Sequence, residues 1–179
     1  MSARRPTRAE IDLAALRHNF QEVRNTVGED CDILAVVKAD AYGHGVAGVA
    51  PALADAGASI FGVALVEEGV ELRRLGIDQP VLVLGSAFPG QENDLLEYRL
   101  TPVLYDLDCA RRLDGFARNA ETGIDYHLKV DTGMGRLGFR VELLDEVLAI
   151  LKKLKNLNMV GLMSHLAVAD EPERPLTSE

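Results

Sequence analysis

Apolar positions follow two alternating rhythms along the chain. Leu13, Leu16, Phe20, Val23 and Val27 recur at three- and four-residue steps, which predicts one apolar helix face with Asp12 as its cap and Gly28 as its stop. Residues 33–37, Ile-Leu-Ala-Val-Val, then form a continuous apolar run, the pattern of a short strand buried on both faces. A helix of small residues is expected over about 46–56, ended by Gly57, followed by a strand over 60–64 and a helix over 67–75 ended by Gly76. Further strands are expected at 81–84, 102–105, 124–130 and 158–163, with helices at 90–98, 108–118 and 141–154. The last helix has the clearest face, made by Leu143, Leu144, Val147, Leu148 and Leu151.

Six strands alternating with helices at intervals of roughly 20–35 residues favour a parallel α/β sheet with right-handed crossovers. An open doubly wound sheet and an eight-fold barrel both satisfy this pattern, and the pattern does not choose between them. The segment 170–175 is polar and reads as a loop. No low-complexity stretch or linker divides the chain, so 1–179 is expected to be one domain.

Composition narrows the partners. A net charge of −9 argues against nucleic acid or an anionic membrane, since an acidic surface releases no counterions from either. Arg4, Arg5 and Arg8 form too short a basic cluster to reverse this. Residues 1–6 lack the apolar core of a secretory signal, and no apolar run approaches the ~18 residues of a membrane span. Cys31 and Cys109 are too far apart for a metal knuckle and are expected to be buried small hydrophobes. A soluble cytoplasmic protein is the expectation.

Candidate chemistry begins at Lys38, which closes the first strand. Parallel α/β folds place ligands at the carboxyl ends of their strands, where a partly desolvated amine can attack a carbonyl. A strand-end lysine that merely reaches water is the plain alternative. The surrounding residues bear on the choice: Ala35-Val36-Val37-Lys38-Ala39-Asp40-Ala41-Tyr42-Gly43-His44-Gly45 closely resembles the pyridoxal-phosphate attachment motif of alanine racemases. Residues 127–139, His-Leu-Lys-Val-Asp-Thr-Gly-Met-Gly-Arg-Leu-Gly-Phe, are similar to the second signature of that family, and residues 161–167, Gly-Leu-Met-Ser-His-Leu-Ala, to its third.

The resemblance implies a (β/α)8 TIM-type barrel, present here as about six of eight strands, without the β-rich C-terminal domain. It implies that Lys38 carries pyridoxal 5'-phosphate and acts as one catalytic base. It further implies that Tyr42 aims its hydroxyl at the cofactor phosphate and that Arg136 bonds the cofactor's phenolic oxygen and helps position the substrate carboxylate. His165 would pack below the cofactor ring, and Lys129 matches a lysine that is carbamylated in many members. The implied reaction is interconversion of L-alanine and D-alanine for peptidoglycan by a homodimer. The second subunit supplies a tyrosine base that this chain does not contain. On that reading the chain is an incomplete N-terminal domain, expected to be inactive alone.

Plainer readings stand beside each implied role. Gly133-Met134-Gly135-Arg136-Leu137-Gly138 matches Gly-x-Gly-x-x-Gly, but Ser164 and His165 occupy the place of the acidic ribose partner that a dinucleotide site needs. Arg136 is otherwise a surface salt bridge, Tyr42 ordinary aromatic packing, and Lys129 a lysine paired with Asp131. His165 alone is more often a hydrogen-bonded core residue, and His44, His127 and His165 have no zinc spacing, so no metal is expected. Asp40, His44 and Asp131 are expected to shape loops. A racemase of broader specificity, an inactive remnant and a cofactor-free Schiff-base aldolase are the alternatives, the last sharing only the lysine.

Overall fold

A computed structural model describes residues 7–171 and Glu173. Helix α1 (Leu13–Val27) starts where Asp12 accepts hydrogen bonds from the Ala14 and Ala15 amides, and it ends at Gly28 with φ 79°. Strand β1 (Leu34–Val36) is followed by α2 (Lys38–Gly43), a helical turn of left-handed sense. The chain continues through α3 (Val46–Asp55), β2 (Ile60–Val63), α4 (Val66–Arg74) and β3 (Val81–Val83). Then come α5 (Glu92–Glu97), β4 (Leu100–Leu104), α6 (Leu107–Asn119) and β5 (Ile124–Asp131). A two-residue strand β6 (Phe139–Arg140) leads through a 3-10 turn into α7 (Leu144–Leu151) and strand β7 (Leu157–Met163).

Every strand pairing is parallel. The order is β1-β2-β3-β4-β5, with β7 beside β5 along most of its length and β6 on the last two residues of β5. Each of β1 to β5 is joined to its neighbour through a helix, the arrangement that parallel pairing requires. All six expected strands are present. The extra strand β6 is the far end of the glycine-rich loop, which folds back onto β5 at Val130↔Phe139 and Asp131↔Arg140.

The core lies between one face of the sheet and the helices. Phe61, Val63, Val81, Val83, Leu104, Tyr126 and Leu128 alternate along their strands and pack with Leu53, Val66, Leu72, Leu95 and Leu113. The alternate strand positions form the other face, where Gly62 leaves room for Leu34, Val36 and Leu84.

The sheet is open at both ends: β1 pairs only with β2, and β7 only with β5. This corrects the expectation of a first strand buried on both faces. Ala35 and Val37 are buried, but Val36 is 37% exposed because no strand covers that side of β1. A cavity of about 530 Å³ opens there, lined by Asp12, Asn19, Val36, Tyr42, His44 and Leu53. Val23 and Val27 likewise stay exposed on α1, whose main neighbour is α3, while Phe20 is buried. At the other end Met159 and Leu162 face outward, Leu162 being 70% exposed. Cys31 is exposed rather than buried, since it lies in the turn before β1, while Cys109 is buried. Leu143 belongs to the 3-10 turn before α7 and is also exposed, so the last helix is shorter than its apolar pattern.

No helix among the described residues is long and apolar enough to cross a membrane. Arg8 pairs with Glu10, whereas Arg4, Arg5 and most of the polar segment beyond Glu171 lie outside the described residues.

Candidate active site

Parallel strands put all their carboxyl ends on one side of the sheet, and the three quoted motifs follow β1, β5 and β7. Lys38 leaves β1 directly into the left-handed turn. Ala39, Asp40, Ala41 and Tyr42 have φ between 51° and 56°, although none is glycine. Such a conformation costs L-residues about 1–2 kcal/mol each, so it persists only where bonds over-determine it. Those bonds are present. The Ala41 amide donates to Val37 O (2.9 Å), Asp40 Oδ1 accepts from the Val46 amide at the start of α3 (2.6 Å), and His44 Nδ1 lies 2.9 Å from Ala41 O. Glu68, on α4, accepts from the Ala39 amide through Oε1 (2.7 Å). Asp40 and His44 therefore shape this loop as expected.

The turn folds Tyr42 back under Lys38, whose Nζ stands 5.8 Å from the ring centroid. At that distance the ring's electron-rich face attracts the ammonium. Tyr42 is 60% exposed, which rules out ordinary aromatic packing.

Lys129 is placed differently. It lies within β5, is only 7% exposed, and makes no ion pair or hydrogen bond among the described residues. Burial lowers the proton affinity of its amine and the charge of Arg136 lowers it further, with Asp131 opposing. The expected pairing with Asp131 does not form because that carboxylate is occupied. Asp131 Oδ1 accepts from the amides of Gly135 (3.0 Å) and Gly133 (3.1 Å), and these bonds hold its carboxyl below the usual aspartate range.

The same bonds curl the glycine loop so that it returns across the end of β5. Gly138, at φ 132°, passes so close that an added Cβ would lie 2.5 Å from the Asp131 nitrogen. Arg136, at the crest of this loop, is exposed and has no carboxylate partner among the described residues, contrary to a surface salt bridge.

The third motif meets the second. Ser164 Oγ donates to Val130 O (3.0 Å) and lies 2.6 Å from Thr132 Oγ1, which ties the end of β7 to the start of the glycine loop. His165 follows at once and is exposed, not a core residue. One turn below, the His127 ring lies against Gly161, where an added Cβ would meet ring atoms at 2.4–2.6 Å. Burial lowers the His127 proton affinity.

Two pairs are thus assembled, Lys38 with Tyr42 and Lys129 with Arg136. No hydrogen bond or ion pair joins one pair to the other among the described residues. Sequence reasoning missed Glu68. Its position in the first turn of α4, just after the Leu65 N-cap, signals a helix cap, but nothing local signals its bond to a residue 29 positions earlier.

The chain matches the family described as alanine racemase, N-terminal domain, over residues 11–179. It is 49% identical over 167 residues to the alanine racemase of Geobacter sulfurreducens, covering 93% of this chain and 44% of that protein. The alanine racemase of Carboxydothermus hydrogenoformans is 44% identical over 169 residues, covering 94% and 45%. Among solved structures, the alanine racemase of Clostridium difficile 630 superposes with a TM-score of 0.89 at 36% identity, over 97% of this chain and 48% of that one. An alanine racemase from Bartonella henselae with covalently bound pyridoxal phosphate gives 0.83 at 25% identity, over 92% and 48%. The chain spans about half the length of the relatives it matches.

Proposed function

Because the chain belongs to the alanine racemase family through its N-terminal domain, we propose that it forms the lysine-bearing part of an enzyme that interconverts L- and D-alanine. The residues present suit pyridoxal 5'-phosphate. An anionic aldehyde calls for an amine, a phenol and a fixed cation at one mouth, and Lys38, Tyr42 and Arg136 all follow carboxyl ends of parallel strands. The buried Lys129 amine and exposed Arg136 also leave positive charge without a protein counterion, as a site for anions requires. When bound, pyridoxal phosphate supplies an electron sink that acidifies the Cα–H of an amino acid.

Lys38 Nζ holds the cofactor covalently and moves the Cα proton on one face of the substrate. The tyrosine that serves the other face comes from the second subunit of a homodimer and lies outside this chain. Arg136 offers planar donors to the cofactor's phenolic oxygen and orients the substrate carboxylate, a task suited to a guanidinium that stays charged. The Tyr42 hydroxyl reaches the cofactor phosphate. His165 supports the ring from below, and a carbamate on Lys129 pairs with Arg136. Residues 1–179 then constitute an incomplete barrel domain of a cytoplasmic enzyme that supplies D-alanine for peptidoglycan.

The observation that carries this reading is Lys38 at the end of β1 with its ammonium drawn over Tyr42 at 5.8 Å. Borohydride reduction of the cofactor-loaded protein, followed by peptide mapping, is expected to leave a pyridoxyl group on Lys38. A tag on another lysine would falsify the assignment.

A further inference from the structure

Glu68 has no part in the reaction outlined above, yet its carboxylate is fully engaged with main-chain donors. Oε2 accepts from the Ala64 and Leu65 amides (2.7 and 3.1 Å), which caps α4. Oε1 accepts from the Ala39 amide at 2.7 Å, across 29 positions of sequence. One carboxylate therefore bridges the first turn of one βα unit and the strained turn of the unit before it.

The Ala39 N–H belongs to the peptide group that joins Lys38 to Ala39. That group is planar, so fixing its N–H fixes the ψ angle of Lys38 and with it the direction in which the side chain leaves the backbone. Ala39 is also the first of the four residues with φ between 51° and 56°. We propose that Glu68 is a positioning residue for Lys38: it holds the Ala39 amide so that Lys38 Nζ is presented at the mouth of the sheet. The proposal rests on the reading of Lys38 as the cofactor-bearing residue.

Glutamine at this position separates the two halves of the bridge. It keeps the shape of glutamate but offers one acceptor oxygen and one NH2 group. Two amides converge on Oε2 and one on Oε1. The amide oxygen of the variant turns to the pair, its NH2 then faces the Ala39 N–H, and two donors oppose each other. The cap on α4 survives while the hold on the lysine turn is lost.

The test uses the cofactor-loaded full-length protein, with Glu68→Gln compared to Glu71→Gln, an exposed glutamate on the same helix. Three quantities are read: hydrogen exchange at the Ala39 amide, the rate at which borohydride-trappable pyridoxyl-Lys38 returns when pyridoxal phosphate is added back to stripped protein, and kcat against KM for alanine. Glu68→Gln is expected to expose the Ala39 amide and to slow both attachment and kcat by about tenfold, the worth of one charge-assisted hydrogen bond, with KM little changed. Glu71→Gln is expected to leave all three as they are.

Adding Ala39→Gly to Glu68→Gln is expected to restore part of the attachment rate, because glycine adopts the left-handed conformation without being held there. A residue that only capped α4 would lower the melting temperature and show no such rescue. That rescue also keeps the test decisive if Glu68→Gln alone proves unstable. Unchanged attachment and Ala39 protection in Glu68→Gln, or absence of rescue, overturns the role of Glu68 and leaves the reading of Lys38 intact. A parent protein that carries no pyridoxyl group on Lys38 brings down both.

Discussion

The Lys129 amine is buried within β5, and the charge of Arg136, seven positions on, further lowers its affinity for a proton. Asp131 opposes this only in part, since its carboxylate serves the glycine loop. A lowered affinity means that the neutral amine appears at a lower pH than for an ordinary lysine. Only the neutral amine attacks CO2, losing a proton to give an anionic carbamate that would pair with Arg136. Isotope-labelled bicarbonate is therefore expected to deposit carbon on Lys129, with half-maximal uptake below pH 10.5, the ordinary lysine value. Without bicarbonate the unfolded chain binds the proton more tightly than the folded one. Stability should then rise with pH between the folded and unfolded pKa values, and Lys129→Met should not lower it at neutral pH. Absence of label on Lys129 across the titration would return it to a plain buried lysine.

For Arg136→Lys in a full-length protein, the charge is kept and the planar set of donors is lost. The expected result is a fall in racemisation of about ten- to a hundredfold, the worth of one or two charge-assisted hydrogen bonds, with cofactor content nearly unchanged. Steady-state kinetics beside a cofactor assay tests this. Unchanged kinetics would remove Arg136 from the site.

Gly138→Ala introduces a methyl group 2.5 Å from Asp131 N and 2.7 Å from Val130 C, at φ 132°. The neighbours are backbone and cannot swing aside. A loss of about 1–3 kcal/mol is expected from the conformation alone. Melting should register it, and hydrogen exchange should locate the damage at β6, where Phe139 and Arg140 pair with β5.

Asp131 gives the glycine loop a predictable response to acid. The amides of Gly135 and Gly133 lower its carboxyl pKa below the ordinary 3.8, so their stabilisation is complete above that value and is lost as pH falls through the lower, folded value. Protection of the two amides should persist to pH 3.8 and disappear only below it. In Asp131→Asn the pH dependence should vanish, because an amide oxygen does not titrate. Loss of protection at higher pH would show that another group governs the loop.

Taken alone, residues 1–179 present the free edges of β1 and β7 and the exposed faces of Met159 and Leu162. Exposed parallel edges recruit other chains. The isolated chain is expected to associate on size exclusion and to lack alanine racemisation, the opposing tyrosine being absent. A monomer that converts L- to D-alanine would reverse both expectations.

What could be read from the sequence was mostly local. Asp12 and Gly28 bound α1 as their types predict, and Asp40, His44 and Asp131 shape loops within six residues of themselves. The order of strands and helices followed from periodicity, and the choice of a barrel from the resemblance. The exposure of Val36 and Cys31 did not follow, because burial depends on which elements stand alongside. The handedness of residues 39–42 was equally hidden. Alanine and tyrosine ordinarily avoid that conformation, and the bonds that impose it come partly from Glu68, far along the chain. β6 exists only because the glycine loop returns to β5, a tertiary event without a strand-like pattern.

The left-handed turn also sets an order of events during synthesis. Residues 39–42 emerge before β2 and α4 exist, and a short run of L-residues does not hold positive φ unaided. The nascent chain therefore passes through a stage in which its first strand is made but the lysine has no fixed direction. Only when the second repeat docks does the turn take its final hand. On the proposed reading, cofactor capture thus reports the docking of the second repeat, not the synthesis of the first.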